Sequence, residues 1–229
     1  MLKFLFEGAA ASLAVFALTL LFSLPLAFPV AVGRMSKNLV LRQAVSFYLL
    51  IMRGTPLILQ LIFIYFAPKY LYRFLVETFS AGRPSPFWAF LQAILSYNRF
   101  TAVIIAFTLN YAAYFAEIYR GGIESIGKGQ WEAAQVLGFT RGQTYARIVL
   151  PQVIKRILPA AGNEVITLVK DTALAQVIGV AELFHAAQSA SAREFSTIPI
   201  FVAGFFYLVM NWGVSAFFQA AEKKLSYYS

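Results

Sequence analysis

Two stretches of this chain run without a single charged residue for 26 and 27 positions, Gly8 to Gly33 and Phe195 to Ala221. As helices rising about 1.5 Å per residue they reach roughly 40 Å, more than the roughly 30 Å hydrocarbon core of a bilayer. Each can cross a membrane with some tilt. The rest of the chain agrees: 60% of the side chains are hydrophobic and 13% are charged, about half the charged fraction of a soluble domain. Too few polar residues remain to clothe a water-facing surface. Lys3 ahead of the first apolar run raises a signal peptide as an alternative, but such an apolar core is usually only about 7 to 15 residues long. The run is read as a retained helix, with Pro25 and Pro29 kinking its second half.

Further apolar segments set an expectation of five transmembrane helices, at about residues 9–33, 55–67, 100–117, 157–180 and 196–221, in one all-α membrane domain covering residues 1–229. Gln43 to Met52 reads as an interfacial segment feeding the second span. Residues 68–98 read as a long mixed outer loop, broken by Pro84 and Pro86, whose Phe87, Trp88 and Phe90 suit the headgroup level. A short complete span there is the competing reading and would reverse everything downstream. Residues 120–155 form the main polar loop.

The net charge is +9, which in a soluble protein would suggest nucleic acid. Here the basic residues fall in short clusters between apolar runs, so they read as topology signals and no nucleic-acid partner is expected. With five spans, twelve Lys and Arg lie on the side holding residues 34–53, the main loop and the C-terminal tail, and six lie on the other. The positive-inside bias then places the main loop and C-terminus in the cytoplasm and the N-terminus outside.

No cysteine and one histidine, His185, are present. Disulfides, thiolate metal sites and cysteine nucleophiles are excluded, and no metal or catalytic residue is expected in this chain. A G-x-x-x-x-G-K pattern at Gly122, Gly127 and Lys128 fails as a phosphate loop. Gly129 stands where a Ser or Thr hydroxyl would hold magnesium, and no buried strand precedes it.

The main loop also carries Glu132, Ala133 and Ala134, then Gly138 after three residues, and after nine more Ile148, Val149, Leu150 and Pro151. Ala133 to Leu137 are good helix formers, Gly138 can take the left-handed conformation that ends a helix, and Thr140 can cap a next one near residues 141–149. The expected product is a helix, a sharp turn and a helix. Read as E-A-A-x3-G-x9-I-x-L-P, the segment resembles the cytoplasmic signature of bacterial ABC importer permease subunits. Arg53 to Leu57, Glu117 with Arg120 to Gly122, and Asn163, Glu164, Lys170, Asp171 and Thr172 are similar to the polar amino-acid uptake branch, from about residue 10 to 222.

This resemblance implies a permease of the bacterial inner membrane without enzymatic activity or a cofactor of its own. ATP and Mg would belong to a partner ATPase. It further implies two ATP-binding subunits docked on the coupling loop through Glu132, Ala133, Ala134, Gly138, Leu150 and Pro151. A second permease subunit, identical or related, an extracytoplasmic solute-binding protein and an amino-acid substrate complete the assembly.

Glu164 and Asp171 are seven residues apart and share a helix face, while Lys170 lies about 120° from Glu164. An ionised group at mid-membrane costs roughly 2.5 to 3.5 kcal/mol, so such residues face a partner helix or a watery cavity. One reading has Glu164, with Asn163 and Asp171, binding the ammonium of an amino acid, basic or neutral rather than acidic. The other has Glu164 bonded to another helix and Asp171 paired with Lys170. Asn110, Tyr114 and Glu117 share a face of the third helix and either line the pathway or pack on the fourth. A functional rival is a stand-alone channel or ion-coupled secondary transporter, which offers no reason for the 132–151 pattern.

Overall fold

A computed structural model describes residues 1–79 and 85–225. Arg83 and Pro84, used above for topology and as a breaker, lie outside the described residues. Among the described residues ten α-helices follow in order: α1 (Leu2–Arg34), α2 (Leu39–Gly54), α3 (Leu57–Phe79), α4 (Pro86–Leu95), α5 (Arg99–Glu124), α6 (Lys128–Val136), α7 (Arg141–Thr144), α8 (Leu150–Asp171), α9 (Leu183–Glu194) and α10 (Ile198–Leu225). A π-helical turn, Tyr145–Val149, joins α7 to α8, and a 3-10 turn, Thr172–Ile178, follows α8.

α1 and α5 form the central pair. α1 presents a stripe of small residues, Gly8, Ser12, Thr19, Ser23, Ala27 and Ala31, all buried, and α5 answers with buried Ala102, Ala106 and Ala113. Small side chains let backbones approach closely, which is how membrane helices gain packing without a hydrophobic drive. Gly8 serves a second close approach, that of α1 to α9, because a Cβ there would fall 2.9 Å from the Leu183 Cα. The helix runs unbroken through Pro25 and Pro29.

Three helices, α1, α5 and α10, are long and apolar enough to cross a membrane, and α2 with α3 passes as a fourth crossing when taken together. The expected fourth span, residues 157–180, is the second half of α8 plus the 3-10 turn, and Lys155, Arg156, Glu164, Lys170 and Asp171 break up the apolar surface of α8. The expected interfacial segment is a full helix, α2, bent 111° from α3 across Thr55 and Pro56. Pro56 cannot continue a helix from Gly54, and its fixed φ suits the start of the next one.

The segment expected as a loop, residues 68–98, holds more helix than anticipated. α3 continues past Pro68 and Lys69 to Phe79, and α4 occupies Pro86–Leu95 with Ser85 as its cap. Lys69 does not break the helix because its ammonium lies 3.7 Å from the centre of the Tyr65 ring, one turn earlier, a favourable cation–π seat.

Candidate functional site

Two constellations carry the chemistry. The first is the hairpin after α5. α6 ends at Leu137, and Gly138 follows with φ +75°, a conformation that a side chain resists and glycine does not. The amides of Gly138 and Phe139 return to the carbonyls of Gln135 and Ala134, 3.0 Å each. Thr140 and Gln143 then form a reciprocal capping box that starts α7, satisfying two donors at once.

The second arm of the hairpin is longer than expected. It does not stop near residue 149 but continues as α7, the π turn and α8 to Asp171. The π turn has a cause in Pro151, which has no N–H to give the Arg147 carbonyl and would clash with it in regular α geometry. The hairpin is fastened to α8: Trp131 meets Tyr145 edge to face with centroids 4.8 Å apart, Gln152 donates to Gln130 at 3.2 Å, and Arg156 donates to the Ser125 carbonyl.

The six residues anticipated for coupling divide between two places. Glu132, Ala133 and Gly138 are exposed on the hairpin, and Ala134 is buried beneath them. Leu150 and Pro151 are also exposed, but at the start of α8, where Leu150 lines an apolar groove of about 1000 Å³ between α1, α5 and the π turn. Two residues that the spacing did not single out, Val136 and Leu137, crown the tip with 88% and 72% of their surface exposed. A rigid turn with large apolar side chains in the open is the mark of an interaction site.

The second constellation lies where α2, α5 and α8 meet. Tyr111 of α5, buried, donates its hydroxyl to Asp171 at 2.7 Å. Asp171 is therefore held by a tyrosine and not by Lys170, with which it forms no ion pair. Glu164 is half-buried and, among the described residues, makes no hydrogen bond or ion pair. Asn163, beside it, is exposed. Glu164 and Asp171 both lie on α8, seven residues apart, a spacing that returns to nearly the same side of a helix.

Arg53, named above only within the family resemblance, joins the site from the other direction. Its guanidinium lies 5.5 Å from the centre of the Tyr114 ring and 3.4 Å from Glu117. Glu117 also takes Arg120 at 2.8 Å and Arg34 at 3.9 Å, so one carboxylate ties α1, α2 and α5 together. Asn110 packs rather than lines: its amide donates to Gln60 and to the Met52 carbonyl, both at 2.9 Å. Gln60 in turn reaches the Met52 and Thr55 carbonyls at 3.0 Å each. These two side chains close the unsatisfied backbone at the bend between α2 and α3.

A third buried acid was missed. Glu182 is fully buried and caps α9 through the amides of Phe184 and His185 at 2.8 and 2.7 Å, and it accepts from Tyr207 of α10 at 2.9 Å and Ser12 of α1 at 3.3 Å. Its signal in the sequence is an acid two residues ahead of Phe184 at the start of a helical pattern. His185 sits on that helix without a metal partner, and no group of metal-ligating residues exists among the described residues.

Residues 9–227 match the model of the family described as binding-protein-dependent transport system inner membrane component. An octopine transport system permease protein, OccM of Rhizobium radiobacter, is 37% identical over 93% of this chain and 81% of its own length. An L-cystine transport system permease protein, TcyB of Bacillus subtilis, is 36% identical over 92% of this chain and 82% of its own length. Among solved structures, an amino acid ABC transporter with histidines superposes with a TM-score of 0.77 at 30% identity, covering 97% of this chain and 94% of that one. With the family pattern matched along nearly its whole length and its helices superposing on a transporter of that kind, the chain belongs to the binding-protein-dependent transport system inner membrane components.

Proposed function

We propose that this chain is the permease subunit of an ATP-driven importer for amino acids, a multi-pass protein of the bacterial inner membrane acting as a single transmembrane domain. It forms the pathway, and separate ATPase subunits hydrolyse ATP with Mg. The observation that carries this reading is the hairpin: a rigid turn at Gly138, two open apolar side chains at its tip and an uninterrupted helical connection to the acids of α8. Glu132, Ala133, Ala134 and Gly138, with Val136 and Leu137, are the docking surface for an ATPase cleft, and Leu150 and Pro151 set the angle at which the second arm leaves it.

Five crossings, with the N-terminus outside and the hairpin and C-terminus in the cytoplasm, suit the twelve-to-six distribution of basic residues. The α2/α3 pair then counts as one crossing and α8 with its 3-10 turn as another. α8 crosses despite its charges because it lines a watery pathway. A second permease subunit closes that pathway, and an extracytoplasmic solute-binding protein delivers the amino acid.

Within the pathway Glu164 binds the ammonium of the substrate, with Asn163 as a neutral donor and acceptor. Its lack of any partner of its own supports this role, since a half-buried carboxylate without one has its interactions still to make. Asp171 adds negative charge from its seat on Tyr111, which favours basic or neutral amino acids over acidic ones. Closing of the ATPase pair moves the hairpins and, through α8, changes which side of the membrane the Glu164 region faces.

The test is co-purification from detergent of the tagged wild-type chain and of a Glu132→Ala/Gly138→Val double variant. An ATPase subunit that accompanies the wild type and is lost from the variant is the expected result. Wild type that comes out alone and still moves an amino acid in vesicles without ATP overturns the reading.

A further inference from the structure

The end of α5 remote from the hairpin carries an open recess, with two cations in its lining, that the pathway described above does not use. It has a volume of about 520 Å³ and lies between α3, the start of α5 and the chain after the 3-10 turn, lined by Tyr65, Lys69, Tyr97, Asn98, Arg99 and Val180 among others. Lys69 stands over the Tyr65 ring at 3.7 Å, and Arg99 lines the same recess. Two cations thus share one recess with a phenol. Among the described residues neither forms an ion pair with an acid. The Arg99 guanidinium also makes a long contact, 3.4 Å, to the Gly179 carbonyl. Gly179 has φ +77°, and a Cβ there would fall 2.9 Å from Arg99. The turn after α8 is therefore built to leave Arg99 its place.

A guanidinium matches the two oxygens of a carboxylate, an ammonium adds a compact second charge, and a phenol adds a third donor. The amide-bearing N-terminus of α5 opens at the same spot and adds its partial positive charge. Arg99 is twelve residues from Tyr111 on one helix, about 18 Å along the axis, so the recess is separate from the acids of α8 and cannot share one small substrate with them. On the proposed pathway the cations would come first and the carboxylates of α8 deeper.

We infer that Tyr65, Lys69 and Arg99 form a carboxylate-receiving site at the outer mouth of the pathway, ahead of Glu164; this rests on the importer reading. The carboxylate belongs either to the incoming amino acid or to an acidic side chain of the protein that delivers it.

The experiment uses the reconstituted permease–ATPase complex with its solute-binding protein, comparing wild type, Lys69→Gln, Arg99→Gln, the Lys69→Gln/Arg99→Gln double variant and Lys69→Arg/Arg99→Lys. ATP-driven uptake is followed against the concentration of loaded binding protein, and the affinity of the empty binding protein for the complex is measured separately. Retention of the ATPase on purification checks assembly, and should the double variant not assemble, the two single variants decide. The double variant is expected to lower uptake at limiting binding protein about tenfold or more, and the singles and the charge-conserving pair, which keeps both charges but moves the guanidinium, less. Unchanged docking of empty binding protein assigns the carboxylate to the amino acid, and docking weakened by the same factor assigns it to the delivering protein. Wild-type uptake and docking in the Gln variants overturn the site. Absence of ATP-driven uptake in wild type overturns the importer reading and the site with it.

Discussion

Asn110 of α5 and Gln60 of α3 hydrogen-bond to each other at 2.9 Å, and both also reach the carbonyl of Met52 at the end of α2. This pair is what lets a chain reverse by 111° inside a helical bundle without leaving bare backbone.

Either single variant leaves the Met52 carbonyl one donor, but Asn110→Leu strips the Gln60 amide oxygen of its partner and Gln60→Leu strips the Thr55 carbonyl of the Gln60 amide, at a cost of about 1 to 3 kcal/mol. The two residues act as a unit, so the double Leu variant is expected to lose less than the sum of the singles. Thermal unfolding of the four proteins in detergent measures this; strictly additive losses would show that the pair is not coupled.

Gly138→Val places a β-branched residue at φ +75°, a strain of roughly 1 to 3 kcal/mol. Nothing lies within 4 Å of the Cβ position, so the effect is on backbone geometry and not on packing. The variant is expected to accumulate in the membrane at wild-type levels, to lose its ATPase partner and to lose uptake. Normal uptake would refute the role given to the turn.

Glu164→Gln and Asp171→Asn separate binding from structure. Glu164 makes no internal hydrogen bond, so its variant should unfold at the wild-type temperature while uptake of a basic or neutral amino acid falls about tenfold, equivalent to roughly 1.4 kcal/mol of lost binding. Asp171→Asn weakens the bond to Tyr111, and its unfolding temperature should fall. The opposite pattern, a destabilised Glu164→Gln with intact transport, would make Glu164 a structural acid.

Glu182→Ala removes the cap of α9 and the acceptor shared by Ser12 and Tyr207, so two helices lose their tie to the start of α9. The cap alone is worth about 1 kcal/mol, and the orphaned buried donors add to it. Glu182→Gln retains one acceptor oxygen and is expected to fall between wild type and Ala in thermal unfolding. Equal stability of all three would mean that the four hydrogen bonds contribute nothing net.

Long uncharged runs announced α1, α5 and α10, and the spacing from Glu132 to Pro151 announced the hairpin, because both are local patterns. The partners of the site residues were not legible in the same way. Tyr111 with Asp171 and Gln60 with Asn110 are separated by 60 and 50 residues, and such pairings follow from how helices stack rather than from any periodicity. Lys69 looked like the end of a span, yet α3 continues because the tyrosine one turn back receives the charge. Nothing in the sequence pointed Arg53 at Tyr114 and Glu117, because that reach comes from how α2 lies against α5.

From Arg141 to Asp171 the second arm of the hairpin is helical throughout, α, then π, then α. Thirty-one residues at about 1.5 Å each make a shaft of roughly 46 Å. An angular change of only about 5° at one end displaces the other by about 4 Å, enough to open or shut passage for a small molecule. On the proposed coupling, leverage lets a small stroke at the hairpin suffice, and the shaft would give most easily at the widened turn before Pro151 and at Pro159, the two points where it lacks a regular backbone bond.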